Sequence, residues 1–211
     1  MPELTFYYTP TTCSLASHIA LEESALPFEA NRIRLHDPEA VATWRQTNSS
    51  GTIPALVSDG RLLTENVAIL SYVAELAPEA GLLPDDPFDR ARALSLTAWF
   101  ASTVHITRRM ARAPMRMTPD QTTWPSLQAE GRSRFWANLV KIDGLVDGRD
   151  WLLGDRLSVA DCYATVFYGW AIADEHPVGK LSNFTALFQR MAERPSVQRA
   201  MVREKTPPFP G

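Results

Sequence analysis

Apolar and aromatic residues run through Leu4-Thr5-Phe6-Tyr7-Tyr8 with strand character, and the turn-rich Thr9-Pro10-Thr11-Thr12 separates them from an amphipathic stretch, Ser14 to Ser24. A second strand is predicted over Glu29-Ala30-Asn31-Arg32-Ile33-Arg34, and a weak helical pattern over Pro38 to Thr47. Ile53 to Ser58 and Arg61 to Leu63 flank Asp59-Gly60, the strongest hairpin signal in the chain. Val67, Leu70 and Val73-Ala74 then recur at helical spacing from Glu65 to Leu76. The predicted order is β-α-β-α-β-β-α, a parallel β-α-β unit followed by a hairpin and a helix, hence a mixed sheet flanked by helices.

Beyond Leu76 the texture changes. Pro78 to Pro87 is rich in helix breakers and reads as a linker, and no strand-like alternation follows it. Helices are expected over Phe88–Arg112, Gln121–Val146, Val159–Ala173, Phe184–Glu193 and Ser196–Arg203. Ser158-Val159-Ala160-Asp161 is a capping box: Ser158 caps the third of these helices while Asp161 reaches back to the cap's N–H. The expected organisation is an α/β domain over residues 1–78, a linker over 79–87 and an all-α domain over 88–211, whose end, Thr206 to Gly211, is expected to be loosely ordered.

Composition narrows the function classes. With 45% hydrophobic and 21% charged residues in 211, the chain can bury a substantial core. A net charge of -3 with no Lys/Arg run argues against nucleic acid as a partner. The opening MPELTFYY lacks the pattern of a secretory signal and no apolar run is long enough to span a bilayer, so no membrane association and a cytoplasmic location are expected. Cys13 and Cys162 lie far apart and are read as free thiols in a reducing compartment. No metal site is expected.

Cys13 stands where a strand has ended and a helix begins, so unpaired N–H groups and the helix dipole should favour its thiolate. The alternative, a small buried hydrophobe, describes most free cysteines. Without a C-x-x-C partner in Cys13-Ser14-Leu15-Ala16, redox work would need a soluble thiol, for which glutathione is the abundant cytosolic candidate. Ile53-Pro54 enters a strand; the dipeptide alone favours a trans bond, whereas a cis bond would turn the preceding backbone groups outward for an added strand. Thr64-Glu65-Asn66 opens a helix whose N–H groups could hold a ligand carboxylate while Glu65 accepts from an ammonium, or Thr64 is simply its N-cap. His105, Arg109 and Arg112 fall on one helix face, which either borders a pocket for anions or is a solvated basic surface.

The segments TTCSLASHIALEES, SSGTIPAL and LLTENVAILSYVAEL, with HITRRM, WLLGDRLSVADCY and FQRMAERPSVQRAM further on, closely resemble the cytosolic glutathione transferases, most of all the bacterial beta class. The resemblance implies a thioredoxin-like N-terminal domain that binds glutathione and a helical domain that supplies the electrophile pocket. It implies that Cys13 contacts or bonds the glutathione sulfur with help from Ser14. Ile53, before a cis Pro54 and beside Thr52, would pair with the cysteinyl part, Glu65 and Asn66 would hold the γ-glutamyl end, and His105 would reach across to the thiol site. The chain departs from the family at Asn66, usually Ser or Gly, at Asn48-Ser49, usually Asn-Pro, and at His36-Asp37-Pro38, where basic residues are common. The expected activity is conjugation of glutathione to a small hydrophobic electrophile, glutathione-dependent thiol-disulfide exchange through Cys13, or both, in a homodimer. Alternatives are a glutathione-dependent dehalogenase or ether-cleaving enzyme, or a non-catalytic binding protein of the same fold. Met110, Met115, Met117 and Trp124 are expected around the electrophile pocket.

Overall fold

The computed structural model describes residues 1–205; the terminal stretch for which loose order is expected lies outside the described residues. Strand β1 (Leu4–Tyr8) leads through helix α1 (Ser14–Ser24) to β2 (Glu29–Arg32), and α2 (Pro38–Thr47) precedes the hairpin β3 (Ala55–Ser58) and β4 (Arg61–Thr64), which ends on α3 (Asn66–Leu76). The sheet order is β2-β1-β3-β4, with β1 parallel to β2 and antiparallel to β3. Asp59 and Gly60 both take positive φ (48° and 75°), the turn that matches the twist of a two-residue hairpin.

Alternation along β1 explains why both faces of the sheet are covered. Leu4, Phe6 and Tyr8 are buried in one core with Ile19 of α1 and Leu70 of α3. On the other face Tyr7 meets Trp44, 4.5 Å away between ring centroids, and Trp44 is the buried residue of α2. α2 starts at Pro38 because Asp37 caps it, accepting from the N–H groups of Glu39 and Ala40.

The remainder is helical. α4 (Pro87–Trp99) begins at the Asp86 cap and runs through a π-helical turn, Phe100–Val104, into α5 (His105–Arg112). The single helix expected over 88–112 is therefore interrupted just before His105, and the helix expected from Gln121 opens with a 3-10 turn before α6 (Trp124–Leu145). α7 (Val159–Ala173), α8 (Ser182–Ala192) and α9 (Pro195–Glu204) complete it. Gly131 lets α6 lie against α5: a Cβ there would stand 2.5 Å from the Ala111 backbone nitrogen.

α7 is buried along most of its length and packs against α1, joining the two halves. Its capping box forms as the sequence predicts, and Asp161 additionally accepts the Leu152 N–H at 2.9 Å. The expected linker is tied down: Pro78–Ala80 forms a 3-10 turn, Leu82 is buried, and its carbonyl accepts from Val159 N at 2.9 Å. α9 clasps α1 through a buried His18–Glu204 pair at 3.0 Å and through Glu22, bonded by Arg199 and Arg203.

Candidate active site

Cys13 sits at the cap position of α1, nine per cent exposed, and its Sγ approaches the Ile53 carbonyl oxygen at 3.9 Å. The turn before it is locked by side chains. Ser14 is fully buried, and its hydroxyl donates to the Thr9 carbonyl at 3.0 Å and shares a 2.8 Å bond with the Thr12 hydroxyl. That hydroxyl is engaged within the turn, so Ser14 fixes the shape of the loop beneath Cys13.

The expected thiolate is corrected by the structure. Burial pushes the Cys13 thiol up to about 11, against the opposing pull of the Arg109 guanidinium, its own backbone N–H and the Asn66 amide. Desolvation of the charged sulfur outweighs the helix end, so at neutral pH Cys13 is a protonated thiol. Burial likewise raises the thiol of Cys162, fully buried in α7, well above its ordinary value.

The Ile53-Pro54 bond is cis, as the resemblance implies and against what the dipeptide alone favours. The loop that presents it is stapled to α2: the Thr52 carbonyl accepts from Trp44 Nε1 at 3.1 Å and from Asn48 Nδ2 at 2.9 Å. Among the described residues the Ile53 carbonyl has no partner other than the Cys13 thiol. Arg45 of α2 packs over Gly51, where a Cβ would come within 2.9 Å of its Nε and where φ is +66°. Gly51 thus serves a left-handed turn and the close approach of a guanidinium at once.

Glu65, not Thr64, is the cap residue of α3, and no side chain caps that helix. Glu65 is exposed and held at φ 71°, ψ 126°, a conformation disfavoured for any residue with a Cβ; such outliers concentrate where a ligand is clamped. Asn66 points inward. Its Nδ2 donates to the Cys13 carbonyl at 2.9 Å and its Oδ1 accepts from the Ser17 hydroxyl at 2.7 Å, so the side chain expected at the γ-glutamyl end instead braces Cys13. Only the open N–H groups of α3 remain to meet an anion there.

Between this surface and α5 lies a cleft of about 460 Å³, with Cys13, Thr52 and Ile53 in one wall and His105 and Trp170 in the other. The His105 ring meets the edge of Trp170 at 5.1 Å, and Trp170 Nε1 donates to the Thr11 carbonyl at 2.9 Å, tying α7 to the Cys13 turn. Burial, then the neighbouring Arg109, Arg108 and Arg116, lower the His105 imidazole to about 4, so it is neutral at physiological pH. Five arginines line the cleft, Arg45, Arg108, Arg109, Arg112 and Arg116, and no Asp or Glu among the described residues does. Arg108 lies over Trp170 at 4.2 Å and grips Asp174 at 2.8 and 3.2 Å; Arg112 reaches the same carboxylate at 3.5 Å. The side chains of Arg109 and Arg116 have no ion pair or hydrogen bond among the described residues.

The expectation for the electrophile wall is also corrected. Met115 and Met117 are exposed and, with Met110 and Trp124, lie outside the cleft lining; Trp124 Nε1 instead donates to the Thr118 carbonyl at 3.1 Å. Of the loop after α5, which carries 3-10 turns at Pro114–Arg116 and Gln121–Thr123, Ala113 and Arg116 line the cleft.

Residues 2–75 match the model of the glutathione S-transferase N-terminal domain and residues 123–195 that of the C-terminal domain. The chain is 33% identical over 202 residues to glutathione S-transferase GstA of Escherichia coli O157:H7, covering 94% of this chain and 97% of the relative. It belongs to the glutathione S-transferase family. A glutathione transferase homologue from Sulfitobacter with bound glutathione superimposes with a TM-score of 0.86 at 32% identity, covering 97% of this chain and 99% of that one. A beta-class glutathione S-transferase of Sphingomonas chungbukensis gives 0.83 at 30% identity, covering 95% and 98%. In this glutathione S-transferase chain no described helix is long and apolar enough to cross a membrane. Arg45, Arg108, Arg116 and Trp170 are cleft residues that sequence reading misses; the i, i+3, i+4 run of α5 could have indicated Arg108, while no local pattern marks the others.

Proposed function

We infer that this chain conjugates glutathione to an electrophile, with Cys13 acting as a hydrogen-bond donor to the glutathione sulfur. The observation that carries the reading is the buried Cys13 thiol beside the Ile53 carbonyl, whose one partner among the described residues is that thiol, in the wall of a cleft that faces His105; burial favours the protonated thiol and the neutral imidazole. The residues present fit glutathione. Ile53 offers backbone to the cysteinyl part beyond its cis Pro54; exposed Glu65 suits the ammonium; the open end of α3 suits the γ-glutamyl carboxylate; Arg45 suits the glycine carboxylate. Ser14, Thr52 and Asn66 act by holding this surface in shape.

A thiolate of bound glutathione is stabilised by the S–H of Cys13. Its sulfur attacks the electrophilic carbon, a carbon–sulfur bond forms as the carbon–halogen bond breaks, and the halide leaves with the electron pair. The thiol proton goes to water. This favours conjugation over disulfide exchange, which requires Cys13 itself to ionise.

Turnover of a chloronitrobenzene and of a mixed glutathione disulfide by Cys13→Ser and Cys13→Ala tests the reading. Serine, which keeps a donor, is expected to retain conjugation within about threefold, and alanine to lose about tenfold by the loss of one hydrogen bond to a charged sulfur. Conjugation that vanishes in both variants with intact folding would make Cys13 the nucleophile and overturn the assignment. The same family reading carries a homodimer and a cytoplasmic location, which sedimentation and fractionation check.

A further inference from the structure

The cleft holds more positive charge than glutathione can use. Glutathione brings two carboxylates and one ammonium, and the preceding reading gives these to Arg45, the end of α3 and Glu65. Asp174, itself outside the lining, engages Arg108 and Arg112. Arg109 and Arg116 are left facing the cleft from the helical side without a counter-ion among the described residues. Two like charges facing one cleft, Arg109 half-buried and Arg116 exposed, repel each other and raise the local concentration of anions there.

We propose that Arg109 and Arg116 form an anion subsite that selects electrophiles bearing a carboxylate, a deepening that rests on the function inferred above. The planar fork of guanidinium matches a carboxylate in a way that a neutral aromatic substrate cannot exploit. The second substrate is thus an acidic electrophile, not the small hydrophobic one expected from the family resemblance.

Calorimetry with the full chain distinguishes the possibilities without relying on turnover. Three ligands are compared: glutathione, S-(4-carboxy-2-nitrophenyl)glutathione, and the corresponding carboxamide conjugate, which has the same shape and no charge. The carboxylate conjugate is expected to bind about tenfold more tightly than the carboxamide, and that ratio to fall toward one as salt rises from about 50 to about 500 mM. Arg109→Gln and Arg116→Gln should each reduce the ratio several-fold; Arg116 is exposed, so its variant keeps the test valid if Arg109→Gln does not fold. Glutathione binding together with equal affinities for the two conjugates, or ratios unchanged in both variants, overturns the subsite alone. Failure of glutathione and of both conjugates to bind overturns the function and the subsite together.

Discussion

Cys13 is buried and His105 half-buried beside the cleft, and desolvation pushes each toward its neutral form: the thiol keeps its proton and the imidazole gives its proton up. For Cys13 this predicts slow alkylation by iodoacetamide near pH 7, with a rate still rising at about pH 10 instead of reaching a plateau near the value of a free thiol. Mass spectrometry of the modified chain reads it, and a plateau below about pH 8 would contradict the burial argument. For His105 the sign runs the other way. Its folded pKa lies below the unfolded value, so the stability it lends is complete above about pH 6.5 and is lost as pH falls toward the folded value near 4. His105→Gln should lose less stability than the unsubstituted chain between about pH 7 and about pH 5 in urea titrations, since it removes the group that the unfolded state protonates. Glu65 stores a different kind of strain, in its backbone. Glu65→Gly is expected to raise stability by about 1 kcal/mol by relieving φ 71° and to weaken glutathione binding at least tenfold, a divergence visible by comparing melting with calorimetry.

At the scale of elements, α7 carries the argument, because one capping residue sets the position of a helix that spans from Leu82 to the cleft. Asp161 holds the N–H groups of Leu152 and Ser158 and the Ser158 hydroxyl in a site with no access to water. Asp161→Ala would leave three buried donors unpaired, and a loss of about 2–4 kcal/mol in chemical denaturation is expected. This motif was legible in the sequence because a capping box is local, as were the Asp59-Gly60 hairpin, the alternation of β1 and the order β-α-β-α-β-β-α. The π-helical turn before His105 was not: the apolar spacing from Phe88 to Arg112 is that of an unbroken helix, and the packing of Phe100 in that turn against Tyr163 and Phe167 of α7 is a tertiary contact that local spacing does not carry. The protonation of Cys13 was likewise invisible, because a helix end is written in neighbouring residues while the opposite wall of the cleft comes from His105 to Arg116 and from Trp170, far along the chain. Asn66 shows the same limit; its position was readable, and the partners that turn its amide inward were not.

Across the whole molecule, the cleft exists only where the two halves meet, and one indole closes it. Trp170 arises from the buried helix α7, supports Arg108 on its face and His105 at its edge, and donates across to the Thr11 carbonyl in the turn that presents Cys13. Thr11 itself is held at φ 63°, so this turn gains from an external anchor. Trp170→Phe keeps an aromatic surface for Arg108 and His105 but removes the only donor that the indole has. The lost bond leaves a carbonyl at the edge of water, which predicts a modest stability cost of about 1 kcal/mol. The larger effect should fall on function, because freeing the turn lets Cys13 drift from the geometry that meets a sulfur, and displacement of this kind acts on the transition state more than on ground-state binding. The variant is therefore expected to show kcat for conjugation reduced about tenfold while KM for glutathione changes less than threefold. A rise in KM with kcat intact would instead place the Thr11 anchor in ligand binding and leave Cys13 positioned by Ser14 and Asn66 alone.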